Sequence, residues 1–149
     1  MSTDTMVKTK VSSAFRDTHG FIPRDWQKSA ASYLLECCTR PSNHKPQPVL
    51  LVRTTSGGKS AVRDVVGYCT SGVVITIVPL LSLAADQVNK LKHLEAKDST
   101  VSAYNIDAIR NGDAKRRLQG ALSSLPSNTN KTVFLFASPQ TFTLDPTWV

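Results

Sequence analysis

Apolar positions follow two different rhythms along this 149-residue chain. Residues 1–10 are polar and carry no period, which predicts a loose arm. A short helix is expected from Val11 to about Phe15, with Gly20 closing the segment. The domain plan is therefore an arm over 1–20 and one folded domain over 21–149. From Trp26 to Cys38 the residues Trp26, Ala30, Tyr33, Leu34 and Cys37 form a helical stripe. Three prolines in Pro41–Pro48 break it.

The rhythm then changes. Val49-Leu50-Leu51-Val52 is a short continuous apolar run, the pattern of a strand buried on both faces. Lys59 to Tyr68 has helical composition. Val73 to Val78 is a second β-branched run, Leu80 to Ala96 a helix and Val101 to Tyr104 a weak strand. Asp107 to Leu125 is a polar helix, and Thr132 to Ala137 is another strong strand. Strand and helix alternate, so the expected fold is α/β, a parallel sheet flanked by crossover helices.

Composition narrows the class. With 40% hydrophobic and 19% charged residues the chain reads as soluble and globular. No apolar run reaches the roughly 18 residues of a membrane helix, and the polar start lacks a secretory h-region. An intracellular protein is expected, nuclear in a eukaryote and otherwise cytoplasmic. Cys37 and Cys38 are adjacent and Cys69 stands apart, so no zinc or redox spacing exists, and the thiols read as small apolar filler. The net charge of +7 favours a polyanionic partner. Its carriers are scattered, however: Lys8 and Lys10, Lys90 and Lys92, and Lys115-Arg116-Arg117. A solvated helix face explains each as well as a phosphate contact does.

Candidate chemistry sits between the first apolar run and the helix after it. Arg53-Thr54-Thr55-Ser56-Gly57-Gly58-Lys59-Ser60 has the make-up of a phosphate loop. Such a loop wraps round phosphates with its N–H groups inward, so its side chains must be small. The following helix adds its positive N-terminal end. Lys59 would place a cation on the β and γ phosphates, the one catalytic assignment. Ser60 would ligate Mg²⁺. Thr55, Ser56, Gly57 and Gly58 complete the candidate ATP site. The strict P-loop pattern has glycine where this chain has Arg53.

Together these segments resemble the first motor domain of a superfamily 2 helicase, closest to the RecQ type. The RecQ loop P-T-G-G-G-K-S is similar to Thr54–Ser60, with Thr54 in place of proline and Ser56 in place of glycine. Upstream, Arg24, Gln27 and Ala30 match the family's adenine motif. The resemblance implies that Gln27 reads the adenine edge and that Arg24 contacts the base. Downstream, Pro79–Gln87 resembles motif Ia, and Phe136–Gln140 resembles the end of the motif Ic strand. This implies contact with a DNA backbone, single-stranded, through Ser82 and, more weakly, Gln87.

The implied fold is a P-loop NTPase of the RecA-like type, incomplete in this chain. Hydrolysis in that family needs a Walker B carboxylate pair, and the sequence holds no Asp-Glu dipeptide. Its glutamates are Glu36 and Glu95, both on predicted helices. In RecA-like sheets the Walker B and following strands lie near the P-loop strand, so the edge beside 49–52 is expected to stay open. Asp64, on the P-loop helix, reads as solvated or ion-paired. Two other readings stay open: a non-motor or kinase-like P-loop protein, and a degenerate nucleic-acid-binding module.

Overall fold

A computed structural model describes residues 3–39, 48–54, 56–109, 112–125 and 130–144. The chain divides into two compact units, Met1–Thr70 and Ser71–Val149.

The first unit packs three helices: α1 (Thr3–His19), α2 (Asp25–Thr39) and α3 (Lys59–Thr70). The region read as a loose arm and a short helix is one continuous 17-residue helix. Its buried face is Val11, Ala14, Phe15 and Thr18, spaced i, i+3, i+4, i+7. Apart from Met6 and Val7 the rest of α1 is polar, which hid the stripe. Tertiary burial along one narrow stripe, not local propensity, holds it. Against it pack Ala31 and Leu35 of α2 and Ala61, Val62 and Val65 of α3. The buried stripe of α2 is thus displaced by one residue from the expected one. Tyr33 is exposed, while Trp26, Ala30 and Leu34 only flank the core.

The predicted strand at Val49–Val52 does not form. Residues 48–54 have no regular secondary structure, and Leu50 and Val52 are 88% and 75% exposed. Leu51 alone packs against the three-helix core. An extended segment becomes a strand only when a neighbour supplies ladder hydrogen bonds. Among the described residues no strand pairs with it.

The second unit carries a three-stranded parallel sheet of order β1-β3-β2, built from β1 (Gly72–Ile77), β2 (Val101–Asn105) and β3 (Thr132–Ala137). The α/β class with a parallel sheet and flanking helices is thereby established. Helix α4 (Leu81–Lys97) joins β1 to β2. A 3-10 turn (Ile106–Ala108) and α5 (Gly112–Ser123) lead back to β3, and α6 (Pro139–Leu144) follows it. Central β3 is buried at every residue, as its unbroken apolar run requires. On one face Leu118 and Ala121 of α5 cluster with Val133, Leu135 and Ala137. On the opposite face Phe134 and Phe136 are fully buried, and α4, which packs on β2 and β3, accounts for that cover.

β1, the second β-branched run, is covered less fully than β3. Its burial alternates, with Val73, Ile75 and Ile77 about half exposed. The register puts them beside Val133, Leu135 and Ala137, on the face where the cluster with α5 takes in β3 and Tyr104 of β2 and none of β1. β1 is also an edge, and residues 72–77 hold no charge and no proline to guard it.

Two substitutions separate these environments. Phe134→Ala should cost about 3–5 kcal/mol in chemical denaturation, because it opens a cavity in a fully buried layer. Ile75→Lys should leave stability within about 0.5 kcal/mol yet reduce concentration-dependent light scattering. Unchanged scattering would show that the β1 edge does not drive self-association.

Candidate functional site

In the first unit α2 begins with half of a capping box. Arg24 is the residue before the helix, and its backbone N–H donates to Gln27 Oε1 at 2.9 Å. The other end of that amide, Gln27 Nε2, donates to the carbonyl oxygen of Gly58 at 3.2 Å. Gln27 is 3% exposed, so both polar ends of its side chain are engaged inside the chain. It braces the glycine loop from behind, and the glutamine–loop contact joins two motifs 31 residues apart.

The loop's backbone explains its glycines. Gly58 has φ +85, and a Cβ there would stand 2.6 Å from Gln27 Nε2. At Gly57 a Cβ would meet the Thr54 carbonyl at 2.9 Å, and the Gly57 N–H donates to that same carbonyl at 3.1 Å. Ser56 has φ +63, left-handed backbone that a side chain makes costly. It occupies the position where the RecQ pattern has glycine. Thr55 lies outside the described residues.

Lys59 opens α3, and its ammonium donates to the carbonyls of Arg53 and Thr54, both at 2.9 Å. It therefore closes the loop's own mouth. Ser60 is exposed beside it. One turn further along α3, Asp64 is 4% exposed and ion-paired, not solvated. Arg63 Nε donates to its Oδ1 at 2.8 Å, and His19 Nε2 stands 3.5 Å from its Oδ2. That carboxylate is committed to the core between α1 and α3. Of the loop region, Ser60 is the residue whose chemistry suits Mg²⁺, as one hydroxyl ligand.

A cleft of about 260 Å³ is lined by Phe21, Ile22, Arg24, Gln27, Ser56, Gly57 and Gly58. Five of these seven were expected from sequence. Phe21 and Ile22 were not, although an apolar pair between Gly20 and Pro23 in polar surroundings is a visible signal. They give the cleft an apolar wall beside its polar floor, the usual mix for a small-molecule site. Behind α1 and α3, burial pushes the Cys69 thiol up, Lys10 working against it and Asp17 with it. That is the direction of an inert thiol.

In the second unit a cleft of about 480 Å³ lies at the C-terminal ends of β1 and β3, lined by Pro79, Leu80, Leu81, Ser82, Ser138 and Gln140. Ser82 is exposed on the first turn of α4, whereas Gln87 is 7% exposed and turned into the fold. Gln87, the weaker of the two residues read from sequence as DNA contacts, thus lies on the buried face of α4. It shares that face with Ala84, Leu91 and Leu94. Asp107, unremarked in the sequence, ties the turn after β2 to the turn after β3. Its Oδ2 accepts from the Ser138 N–H at 2.7 Å and its Oδ1 from the Ser138 hydroxyl at 2.9 Å, and Thr141 Oγ1 also donates to it.

Comparison with known proteins finds one short similarity of note. Over 80 residues the chain is 30% identical to a Caenorhabditis elegans protein named as an inferred ATP-dependent DNA helicase Q1. The stretch covers 48% of this chain and 13% of that relative, so the chain spans a small part of its length. No protein-family model matches, and no solved structure matches. A distant helicase-related likeness is what the comparison supports.

The loop geometry has direct consequences for stability. Ser56→Gly should relieve left-handed strain and stabilise the protein by up to about 1 kcal/mol. Gly58→Ala should cost about 1–2 kcal/mol for its positive φ. Thermal or urea unfolding of the two variants measures both, and a stabilising Gly58→Ala would contradict the described loop.

Proposed function

We propose that the first unit binds Mg·ATP through Ser56–Ser60 and that the chain is the ATP-binding portion of a RecQ-like DNA helicase. The observation that carries this reading is the Gln27 bridge. It brings the upstream Arg24–Gln27 motif and the glycine loop into one cleft, as a nucleotide bound across both would need. The 30% identical stretch of the helicase relative and the family order of the motifs support it.

In this reading the apolar side of the cleft, Phe21 and Ile22, takes the base, and the loop takes the phosphates. Lys59 Nζ exchanges two backbone carbonyls for β and γ phosphate oxygens, a stronger charge-assisted pairing. Gln27 acts first as the brace of Gly58, and its second N–H and second oxygen lone pair are what it has left for the base edge. Ser60 supplies the protein hydroxyl to Mg²⁺, which when bound neutralises phosphate charge. The second unit meets a DNA backbone through Ser82, in a sequence-independent mode.

Titration of a fluorescent ATP analogue tests the nucleotide half. Lys59→Ala should lose roughly 1.5–3 kcal/mol, a tenfold to hundredfold weakening, and equal affinities would sink the assignment. ATP hydrolysis by residues 1–149 should be negligible, because the sequence offers no Walker B pair. Phosphate release well above that of the Lys59→Ala control would favour a self-sufficient, non-motor P-loop enzyme instead.

A further inference from the structure

Arg53 stands where the strict phosphate-loop pattern has glycine, and three observations converge on it. Its guanidinium lies over the indole of Trp26, 5.0 Å from the ring centroid. Its carbonyl oxygen is one of the two that hold Lys59 Nζ, at 2.9 Å. Its Cβ comes within 3.6 Å of where a Cβ on Gly57 would be. One residue therefore touches α2 with its side chain and the key lysine with its carbonyl, and its Cβ borders the space that a side chain at position 57 would fill. Trp26 packs against the three-helix core and immediately precedes Gln27, the brace of Gly58.

This contact matters because the leg of chain entering the loop has no ladder to hold it. Residues 48–54 form no strand, and only Leu51 of the apolar run reaches the core. A cation held over an indole face is directional and attractive even when partly wet. Here it fixes the last residue before the loop turns.

We propose that Arg53 is a positioning residue of the triphosphate site, acting through its stack on Trp26 to hold the entering leg of the loop in register with Lys59. The proposal rests on the nucleotide reading above. On it, loss of the cation and loss of the ring are the same loss, since either frees the same leg. A guanidinium acting only as a nearby positive charge would not depend on the ring.

The test is a double-mutant cycle on the full chain, reading the affinity of a fluorescent ATP analogue and of inorganic tripolyphosphate. Arg53→Met and Trp26→Leu should each weaken both ligands about threefold to tenfold, and the double variant should be no weaker than the worse single one. Trp26→Phe, which keeps a ring, should stay within about twofold of wild type, and Arg53→Lys should fall between wild type and Arg53→Met. If Trp26→Leu weakens binding no more than Trp26→Phe while Arg53→Met still does, Arg53 acts by charge alone and the proposal is overturned. Additive effects in the double variant overturn it too. Should Trp26→Leu not fold, the exposed Arg53 series decides, and equal affinities for Met, Lys and wild type refute positioning. Lys59→Ala run alongside separates the two levels. If it binds as wild type does, the nucleotide reading fails; if it alone weakens binding, only the role of Arg53 fails.

Discussion

A carboxamide offers an acceptor at one end and donors at the other, and the candidate site depends on Gln27 using both within the chain. Its oxygen closes the start of α2, and its nitrogen holds Gly58. Burying such a group is costly unless both ends are satisfied. The bridge therefore locks the helix start and the loop together, and neither can move far without orphaning a buried polar atom. The glycine at 58 follows from it, since the amide occupies the space of a Cβ. A glutamate at 27 could not donate to the carbonyl, so the residue type itself is dictated by the contact.

Much of the second unit was legible because its strands announce themselves. β3 is an unbroken apolar run and is buried at every residue, and its bounds match the expected ones. β1 has the same composition but only half its cover. Composition reports what a strand could bury, whereas helices elsewhere decide what it does bury. Val49–Val52 carries the lesson further. Its apolar run is as good as that of β1, yet no described strand lies beside it and it stays irregular. Pairing is a property of two segments, and no reading of one segment supplies it.

In the first unit a turn at Ser56–Gly58 followed by a helix from Lys59 could be read from sequence, because paired glycines before a run of helical composition mark a turn. The contacts that organise it could not. Nothing in the spacing of Trp26 and Arg53 foretells their stacking, which depends on how α2 lies against the entering leg. Asp107 was invisible for the same reason. A lone aspartate reads as a solvated charge until the fold brings Ser138 and Thr141 to it. Gln87 shows the converse, a motif position whose side chain the helix turns inward.

The clasp of Lys59 on the carbonyls of Arg53 and Thr54 also has a kinetic side. An ammonium has three N–H donors, so the two carbonyls leave it one for an incoming anion. On the nucleotide reading proposed above, a first phosphate oxygen would take that donor with the clasp intact, and a second would have to displace a carbonyl. Binding would then run in two steps, a fast encounter and a slower exchange whose rate belongs to the loop. The observed rate of the second step would level off at high anion concentration.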